Sequence, residues 1–310
     1  MTAAPIRLAI VGMGKIARDQ HLAAISGNDA FNLVAVASPN HRHDSVPSYP
    51  GIEALLDAHP DVDALAICTP PQIRYDITRY ALDRGRHVML EKPPGATLSE
   101  VTALAELARR RNATLFATWH SREAPAVAPA RTWLATRTIR SVSVTWKEDV
   151  RVWHPGQTWI WKPGGLGVFD PGINALSILT HILPGALVLQ QAELSYPANR
   201  EAPIAACLQL VDQSGVRIQA EFDFRQTGTP IWIIDIETDA GRLVLSRGGC
   251  VLQIDGKARV EASDREYPNL YAKFASLLRE RRSDVDVAPL RLVADAFLCS
   301  RRIEVEPFYE

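Results

Sequence analysis

A glycine turn near the N-terminus constrains the fold of this 310-residue chain more than any other feature of its sequence. The turn reads Gly12-Met13-Gly14-Lys15-Ile16-Ala17. It comes directly after an apolar, β-branched run at residues 7–11 and opens an amphipathic pattern that ends near Ile25. In such a unit the first glycine makes the tight turn and the second lets the backbone approach a pyrophosphate. Glycine pairs also occur in turns that bind nothing, so the interpretation depends on the elements that come after the turn.

Strands and helices alternate after this turn. Gly85 is a typical helix stop before a strand, and Ser99 with Glu100 is a typical helix start. The alternation predicts a doubly wound, parallel α/β sheet of the Rossmann kind, with a dinucleotide held at Gly12 to Ile16. The patterns place further strands at 33–38, 64–68, 87–90 and 114–118, and helices at 52–58, 72–84 and 99–111.

A second kind of pattern begins after about Arg122. Longer alternating segments, separated by glycine turns, predict a large, mostly antiparallel open sheet within an α+β domain. Because the chain is longer than one core usually grows, we predict two domains, a Rossmann domain at 1–122 and a substrate-binding and oligomerisation domain at 123–310. A final helix at 290–300 packs against one of them, and the sequence leaves open which. The alternating segments are 141–146, 218–224 and 232–237, and the turns lie at 212–215 and 255–256.

Charge and cysteine usage exclude several classes of partner. A net charge of −1 provides no broad field for nucleic acid or an anionic membrane. The four cysteines lie far apart without a C-x-x-C pair, so neither a metal site nor a disulfide framework is expected. The N-terminus does not resemble a signal peptide, and no apolar stretch suits a bilayer span. We therefore expect a cytoplasmic protein.

The end of the second strand bears on the choice of cofactor. An Asp or Glu there would bind the ribose 2′-hydroxyl and repel a 2′-phosphate, but the chain has neither. Ser38, Asn40, His41 and Arg42 instead offer hydroxyl, amide and guanidinium groups. These residues predict a preference for NADP with NAD also accepted. The alternative is that Arg42 lies in a solvated loop and binds nothing.

Two further strand ends carry candidate cofactor residues. Glu91 and Lys92 follow the fourth strand, at the edge where doubly wound sheets bind ligands, so the lysine can meet the nicotinamide and a substrate hydroxyl together. The alternative is an ordinary surface lysine. Thr69, Pro70, Pro71 and Gln72 follow the third strand and either line the cofactor channel or form a simple strand-to-helix turn.

In order, Gly12 to Ala17, Cys68-Thr-Pro-Pro71 and Glu91-Lys-Pro-Pro94 resemble the glucose–fructose oxidoreductase and inositol dehydrogenase family. The strings at 119–122, 146–157 and 164–174 resemble more specifically its bacterial L-arabinose and D-galactose 1-dehydrogenases. The resemblance spans most of the chain. It implies an enzyme that oxidises an aldose at its anomeric carbon to the lactone. The alternating strands of the second domain offer a sheet face to a partner subunit, so we expect a homo-oligomer, a dimer or tetramer.

By the same resemblance, Lys92 corresponds to the lysine of the family's E-K-P motif and Asp170 to the acid of its D-x-G-x-H motif. Asn174 stands where much of the family has histidine, and because an amide is no base, it is expected to orient the sugar. We expect Asp170 to take the C1 hydroxyl proton while Lys92 stabilises the oxyanion, with Lys92 as base the alternative assignment. Before Pro171, however, Asp170 is also expected as a helix N-cap, and capping alone is the competing interpretation.

Four residues are candidates for binding the sugar hydroxyls. Tryptophans crowd the segment that holds three of them, and aromatic faces stack on sugars, but clustered tryptophans also build cores and subunit interfaces. Two other functions remain open for this fold: an NAD-dependent glycosidase that recycles its cofactor, and a dinucleotide sensor without catalysis. Lys92 and Asp170 argue against the sensor. The sugar-binding candidates are His120, Glu148, Trp153 and His154.

Overall fold

The computed structural model describes residues 4–310. The chain forms two compact units. The first comprises the chain up to Trp119 together with Tyr267–Val287, and the second comprises His120–Glu266 and Ala288–Glu310. Residues 267–287, which the sequence assigns to a second domain starting at 123, therefore group with the first unit.

The sequence-based prediction about a signal peptide includes residues 1–3, which lie outside the described part of the chain. Within residues 4–310, no helix has both the length and the apolar composition needed to cross a bilayer.

The first unit is built on six strands. They are β1 (Ile6–Val11), β2 (Phe31–Ala37), β3 (Ser48–Tyr49), β4 (Ala64–Ile67), β5 (His87–Leu90) and β6 (Leu115–Ala117). All pairs are parallel, in the order β3-β2-β1-β4-β5-β6. The order reverses direction next to β1, which is the arrangement of a doubly wound sheet, and the crevice at that reversal is where such sheets bind ligands.

Helices cover both faces of this sheet. They are α1 (Leu22–Ser26), α2 (Ile52–Ala58), α3 (Pro71–Asp83), α4 (Leu98–Arg110) and α8 (Glu266–Glu280). Helix α4 begins earlier than Ser99 suggests, because Thr97 is its N-cap and shares a capping box with Glu100. The predicted stop at Gly85 is present, with a φ of +71°.

Helix α8 returns from the C-terminal part of the chain to cover the sheet face that also carries α1. Tyr271 and Phe274 are fully buried in the apolar cluster formed there with Leu8, Ile10 and Phe116. The opposite face is closed by residues of α2, α3 and α4. The sequence pattern of α8 is typical of an amphipathic helix, although it was not among the predicted elements. Its apolar residues stand at 267, 270, 271, 274 and 275.

The second unit is built on a nine-stranded sheet, in the order β14-β13-β12-β11-β7-β10-β9-β8-β15. Its strands are β7 (Ile139–Lys147), β8 (Leu187–Pro197), β9 (Ala205–Asp212), β10 (Arg217–Asp223), β11 (Ile231–Thr238), β12 (Gly241–Ser246), β13 (Val251–Ile254), β14 (Lys257–Glu261) and β15 (Arg301–Val305). Two runs, β8-β9-β10 and β11 to β14, are antiparallel meanders. The pairs β7–β10 and β8–β15 are parallel, so the sheet is mixed.

Four helices belong to this unit: α5 (Val127–Leu134), α6 (Val150–Trp153), α7 (Phe169–Ile182) and α9 (Ala288–Cys299). Helix α7 is buried along most of its length and packs against α5, α9 and β7. The last predicted helix, 290–300, is therefore α9, and it belongs to the second unit.

Candidate functional site

The glycine turn closes tightly against the end of β4. Gly12 has a φ of +97°, and a Cβ atom there would lie 2.8 Å from the main chain of both Cys68 and Thr69. Only glycine adopts this backbone angle without strain and leaves room for the neighbouring main chain. Gly14 differs, since no atom lies within 4 Å of the position its Cβ would take. A tight first glycine and an open second one fit the close approach of a dinucleotide pyrophosphate.

The helix after the turn is widened near its start. Ala17–His21 form a π-helical turn before α1 continues to Ser26. Single π turns of this kind are frequent at functional sites. Here the turn carries His21, which is 1% exposed, into the core of the unit. The side chain of Lys15, a predicted cofactor residue, is exposed and pairs with Asp19.

The loop after β2 carries the residues predicted to contact the adenosine ribose. Ser38 is half-buried, and its amide donates to the Tyr49 carbonyl at 2.9 Å. Asn40, His41 and Arg42 are exposed. The exposed Arg42 agrees with either interpretation of this loop, a phosphate contact or a solvated arginine.

The other predicted cofactor residues follow β4 and β5. Pro70 is the N-cap of α3 and Pro71 its first residue, so Thr69 to Gln72 form the strand-to-helix connection. Glu91 is 4% exposed and Lys92 is half-buried. Because β2, β1, β4 and β5 are neighbours in a parallel sheet, all the predicted cofactor residues lie at one edge of it.

Arg74, which is 2% exposed, holds this edge together. Its guanidinium donates to the main-chain carbonyls of Thr69, Glu91 and Pro93. The peptide bond between Lys92 and Pro93 is cis. The main chain on both sides of Lys92 is therefore anchored to α3. Neither Arg74 nor His21 was singled out from the sequence, because an arginine on a helical pattern gives no sign that it turns inward.

In the second unit, three of the predicted residues lie together, with one imidazole between two carboxylates. His154 Nε2 lies 3.3 Å from Asp170 Oδ2 and 3.9 Å from Glu148 Oε1. Both carboxylates are buried, at 3% and 5% exposure for Asp170 and Glu148. A histidine between two carboxylates gives a site that can accept hydrogen bonds from several hydroxyls and donate to them.

Helix α7 determines where Asp170 stands. The helix begins at Phe169, with Val168 as its N-cap, so Asp170 lies inside the first turn and is not the N-cap that the sequence predicts. Its carboxylate lies beside His154. A negative charge in the first turn is stabilised by the helix dipole. Asn174 lies one turn further on and is half-buried.

Aromatic rings border this cluster. Trp232 donates its indole N–H to Glu148 Oε2 at 2.9 Å, and its ring lies 5.3 Å from that of Trp153 and 6.0 Å from that of Trp146. Trp153 is 42% exposed, whereas Trp161 is buried against Phe224. The tryptophans of this segment thus include a core residue, Trp161, and a ring beside the cluster, Trp153. Trp232 was not predicted from the sequence, and it reaches Glu148 because β11 pairs with β7.

His120, the fourth predicted sugar ligand, starts a 3-10 turn and contacts Glu266 Oε2 at 2.5 Å. Among the described residues, no group of three or more His, Cys, Asp and Glu side chains has an arrangement that could hold a metal ion.

Comparison with known proteins identifies relatives along the whole chain. The model of the oxidoreductase family with an NAD-binding Rossmann fold, GFO_IDH_MocA, matches residues 6–118. Galactose 1-dehydrogenase of Pseudomonas fluorescens is 49% identical over 306 residues, which are 99% of each chain. The crystal structure of a D-galactose-1-dehydrogenase protein from Rhizobium etli superimposes with a TM-score of 0.95 at 57% identity, covering 100% of this chain and 99% of that one.

A more distant structure shares the fold. A 3-ketoreductase from Actinomadura kijaniata, solved with NADP and TDP-benzene, has a TM-score of 0.86 at 21% identity and covers 97% of this chain and 99% of its own. Together with the glycine turn and the strand order, the full-length similarity shows that the chain belongs to the Gfo/Idh/MocA family of oxidoreductases, whose NAD-binding domain is a Rossmann fold.

Proposed function

We propose that the protein is an aldose 1-dehydrogenase that oxidises D-galactose and L-arabinose to their lactones with NADP or NAD. The observation that carries this proposal is the 49% identity to a galactose 1-dehydrogenase over 99% of both chains. Similarity at this level along the entire chain includes the second unit, where the substrate residues are expected, and not only the Rossmann unit. The two sugars belong together chemically, because L-arabinopyranose has the ring stereochemistry of D-galactopyranose without its C6 hydroxymethyl group.

In this proposal Asp170 takes the proton of the C1 hydroxyl. Its position in the first turn of α7 and the adjacent His154 favour a negative charge on this carboxylate, which is the form that a general base needs. When bound, the nicotinamide cofactor accepts the hydride from C1. Lys92 supplies a positive charge that stabilises the oxygen as its proton leaves. Lys92 as the base is the second assignment.

The sugar hydroxyls are assigned to groups of the second unit. Glu148 and His154 accept and donate hydrogen bonds, and Asn174 orients the ring from the same helix as Asp170. Trp153 and Trp232 offer aromatic faces for the C–H surface of the sugar. His120 is the remaining candidate.

A spectrophotometric assay tests this function. With free NADP and either D-galactose or L-arabinose, we expect continuing formation of reduced cofactor, one per sugar oxidised. D-Glucose, the C4 epimer of D-galactose, is expected to have a kcat/KM lower by roughly tenfold or more, because one misdirected hydroxyl leaves a buried polar group without its partner. Equal rates with the two epimers would contradict the assignment of the polar cluster.

The same assay separates the other functions. A glycosidase would release nitrophenol from a nitrophenyl galactoside without net accumulation of reduced cofactor. A sensor would bind the cofactor but would neither oxidise the aldose nor cleave the nitrophenyl galactoside. Either result would overturn the dehydrogenase proposal.

We propose in addition that NADP is preferred over NAD. Ser38 and the exposed Arg42 support this, since no carboxylate follows β2 directly to bind a 2′-hydroxyl or repel a 2′-phosphate. The cofactor choice is separate from the sugar chemistry and has its own test.

Replacing Arg42 by alanine is expected to raise the KM for NADP about tenfold and to change the KM for NAD by less than about twofold. A hydrogen-bonded guanidinium–phosphate contact contributes about this much. Initial rates with each cofactor measure the effect, and Arg110→Ala, an exposed arginine on α4, is the control. Equal changes for both cofactors would assign Arg42 to the solvated loop.

A cytoplasmic location and a homo-oligomer, a dimer or tetramer, complete the proposal. All four cysteines are free of disulfides, which suits a reducing compartment. Alternate residues of β7 and β10 are exposed on one face of the nine-stranded sheet, and this face is the proposed contact between subunits.

A further inference from the structure

A buried polar network lies directly behind Lys92 in the first unit. Its centre is the Glu91 carboxylate, which is 4% exposed. Glu91 Oε1 accepts the Tyr267 hydroxyl at 2.8 Å and lies 2.9 Å from His21 Nε2. Glu91 Oε2 accepts the main-chain amide of Lys92 at 2.9 Å. One carboxylate thus connects the π-helical turn, helix α8 and the main chain of the proposed catalytic lysine.

The polar atoms of this network match each other as hydrogen-bond donors and acceptors. An ionised carboxylate only accepts hydrogen bonds, so His21 Nε2 carries a hydrogen toward it. Burial by itself lowers the pKa of His21, whereas the adjacent Cys68 and the hydrogen-bonded Glu91 raise that pKa. The contacts with His21, the Tyr267 hydroxyl and the Lys92 amide offset the cost of burying the Glu91 carboxylate.

The network is rigid on the side of His21. His21 Nδ1 lies 2.8 Å from the Tyr271 hydroxyl, and burial raises the pKa of that hydroxyl, so it stays protonated. The rings of Tyr267 and Tyr271 meet the imidazole edge-on at 4.9 and 5.7 Å. The Cys68 sulfur lies 3.6 Å from His21 Nε2. Both nitrogens of the His21 ring thus have polar neighbours, which hold the imidazole in this orientation.

We propose that His21 and Tyr267 are positioning residues for Lys92: they hold the Glu91 carboxylate, which holds the main chain of Lys92 at the carboxyl edge of the sheet. Neither side chain contacts the reacting atoms in this proposal. Arg74 contributes the complementary half, since it anchors the carbonyls of Glu91 and Pro93. The inference rests on the proposed role of Lys92, but its structural part is independent of which sugar is oxidised.

Tyr267→Phe tests the proposal because it removes one hydroxyl and leaves the ring. We expect kcat to fall about tenfold, the loss of one hydrogen bond to a charged group, while the KM for the sugar and the Kd for reduced cofactor stay within about twofold. The control is Tyr49→Phe, which removes a hydroxyl that also contacts a histidine, His59, at 3.0 Å in the same unit. This control is expected to keep its kcat.

Two substitutions of His21 separate positioning from folding. Glutamine places an amide N–H near the position of Nε2, whereas leucine fills the space without a donor. We expect His21→Gln to recover at least half of the kcat that His21→Leu loses. If both variants lost the same share of kcat and unfolded at the same temperature, the hydrogen-bond role of His21 would be contradicted.

An independent readout is the Lys92 amide itself. In protein labelled with ¹⁵N-lysine, we expect its resonance, assigned with Lys92→Arg, to lie downfield because it donates to a carboxylate. It should move upfield and exchange faster in Tyr267→Phe, and stay unchanged in Tyr49→Phe. An unmoved resonance together with an unchanged kcat would overturn the proposal. Should the wild type oxidise no aldose, the proposed function fails, while the amide measurement still decides the positioning.

Discussion

Replacing Asp170 by asparagine is expected to lower kcat with D-galactose about a thousandfold. The side chain keeps its size but can no longer take the C1 hydroxyl proton, and positioned general bases contribute on this scale. The neighbouring His154, 3.3 Å away, also loses its carboxylate partner. Steady-state rates across pH measure the effect, and fluorescence titration with reduced cofactor verifies that the Kd is unchanged.

Asp149→Asn is the matched control for this substitution. Asp149 is the N-cap of α6 and binds Arg151, and asparagine caps helices equally well, so activity should stay within about twofold. If Asp170→Asn retained more than a tenth of the wild-type kcat, Asp170 would not be the base. A larger loss in Lys92→Met would then assign that role to Lys92.

Gly12→Ala is expected to destabilise the first unit by about 2–5 kcal/mol and to abolish measurable cofactor binding. Its Cβ would lie 2.8 Å from two main-chain atoms at the end of β4, and the φ of +97° is strained for any L side chain. Either β4 shifts or the turn opens, and both changes deform the pyrophosphate site. Calorimetry without cofactor and fluorescence titration measure the two effects.

Gly14→Ala is the comparison that separates fold from binding. Its Cβ meets no atom within 4 Å, so the unfolding temperature should stay within about 2 °C of the wild type. The Kd for the cofactor is nevertheless expected to rise at least tenfold, because the added methyl group occupies the space into which a pyrophosphate fits. Tight cofactor binding by Gly14→Ala would contradict the site assigned to this turn.

Much of the Rossmann unit could be predicted because its signals are local. The β1 to π-turn connection, the stop at Gly85 and the helix at Ile52–Ala58 each depend on a few adjacent residues. The start predicted at Ser99 came too late because Thr97 and Ser99 are both good caps, and only Thr97 has Glu100 at the third helical position.

Helix α8 and the nine-stranded sheet show where sequence reasoning fails. The apolar periodicity of α8 is typical of a helix, although no helix was predicted there, and it does not tell which unit the helix covers, which is the first. Likewise, alternation in β7 and β10 predicts strands, while their parallel pairing depends on which faces remain to be buried. The unit that α8 covers and the strand that β7 pairs with both depend on contacts between residues far apart in the chain.

The sequence by itself determined the dinucleotide turn, the α/β and α+β classes of the two parts, the family, and the candidate carboxylates and lysine, because each is written in contiguous residues. Only the tertiary structure decided that Asp170 faces His154 instead of capping α7, that Trp232 reaches Glu148, and that His21 and Tyr267 converge on Glu91. The physical reason is that a buried polar group needs hydrogen-bond partners, and the fold here brings those partners from up to 250 residues away in the chain.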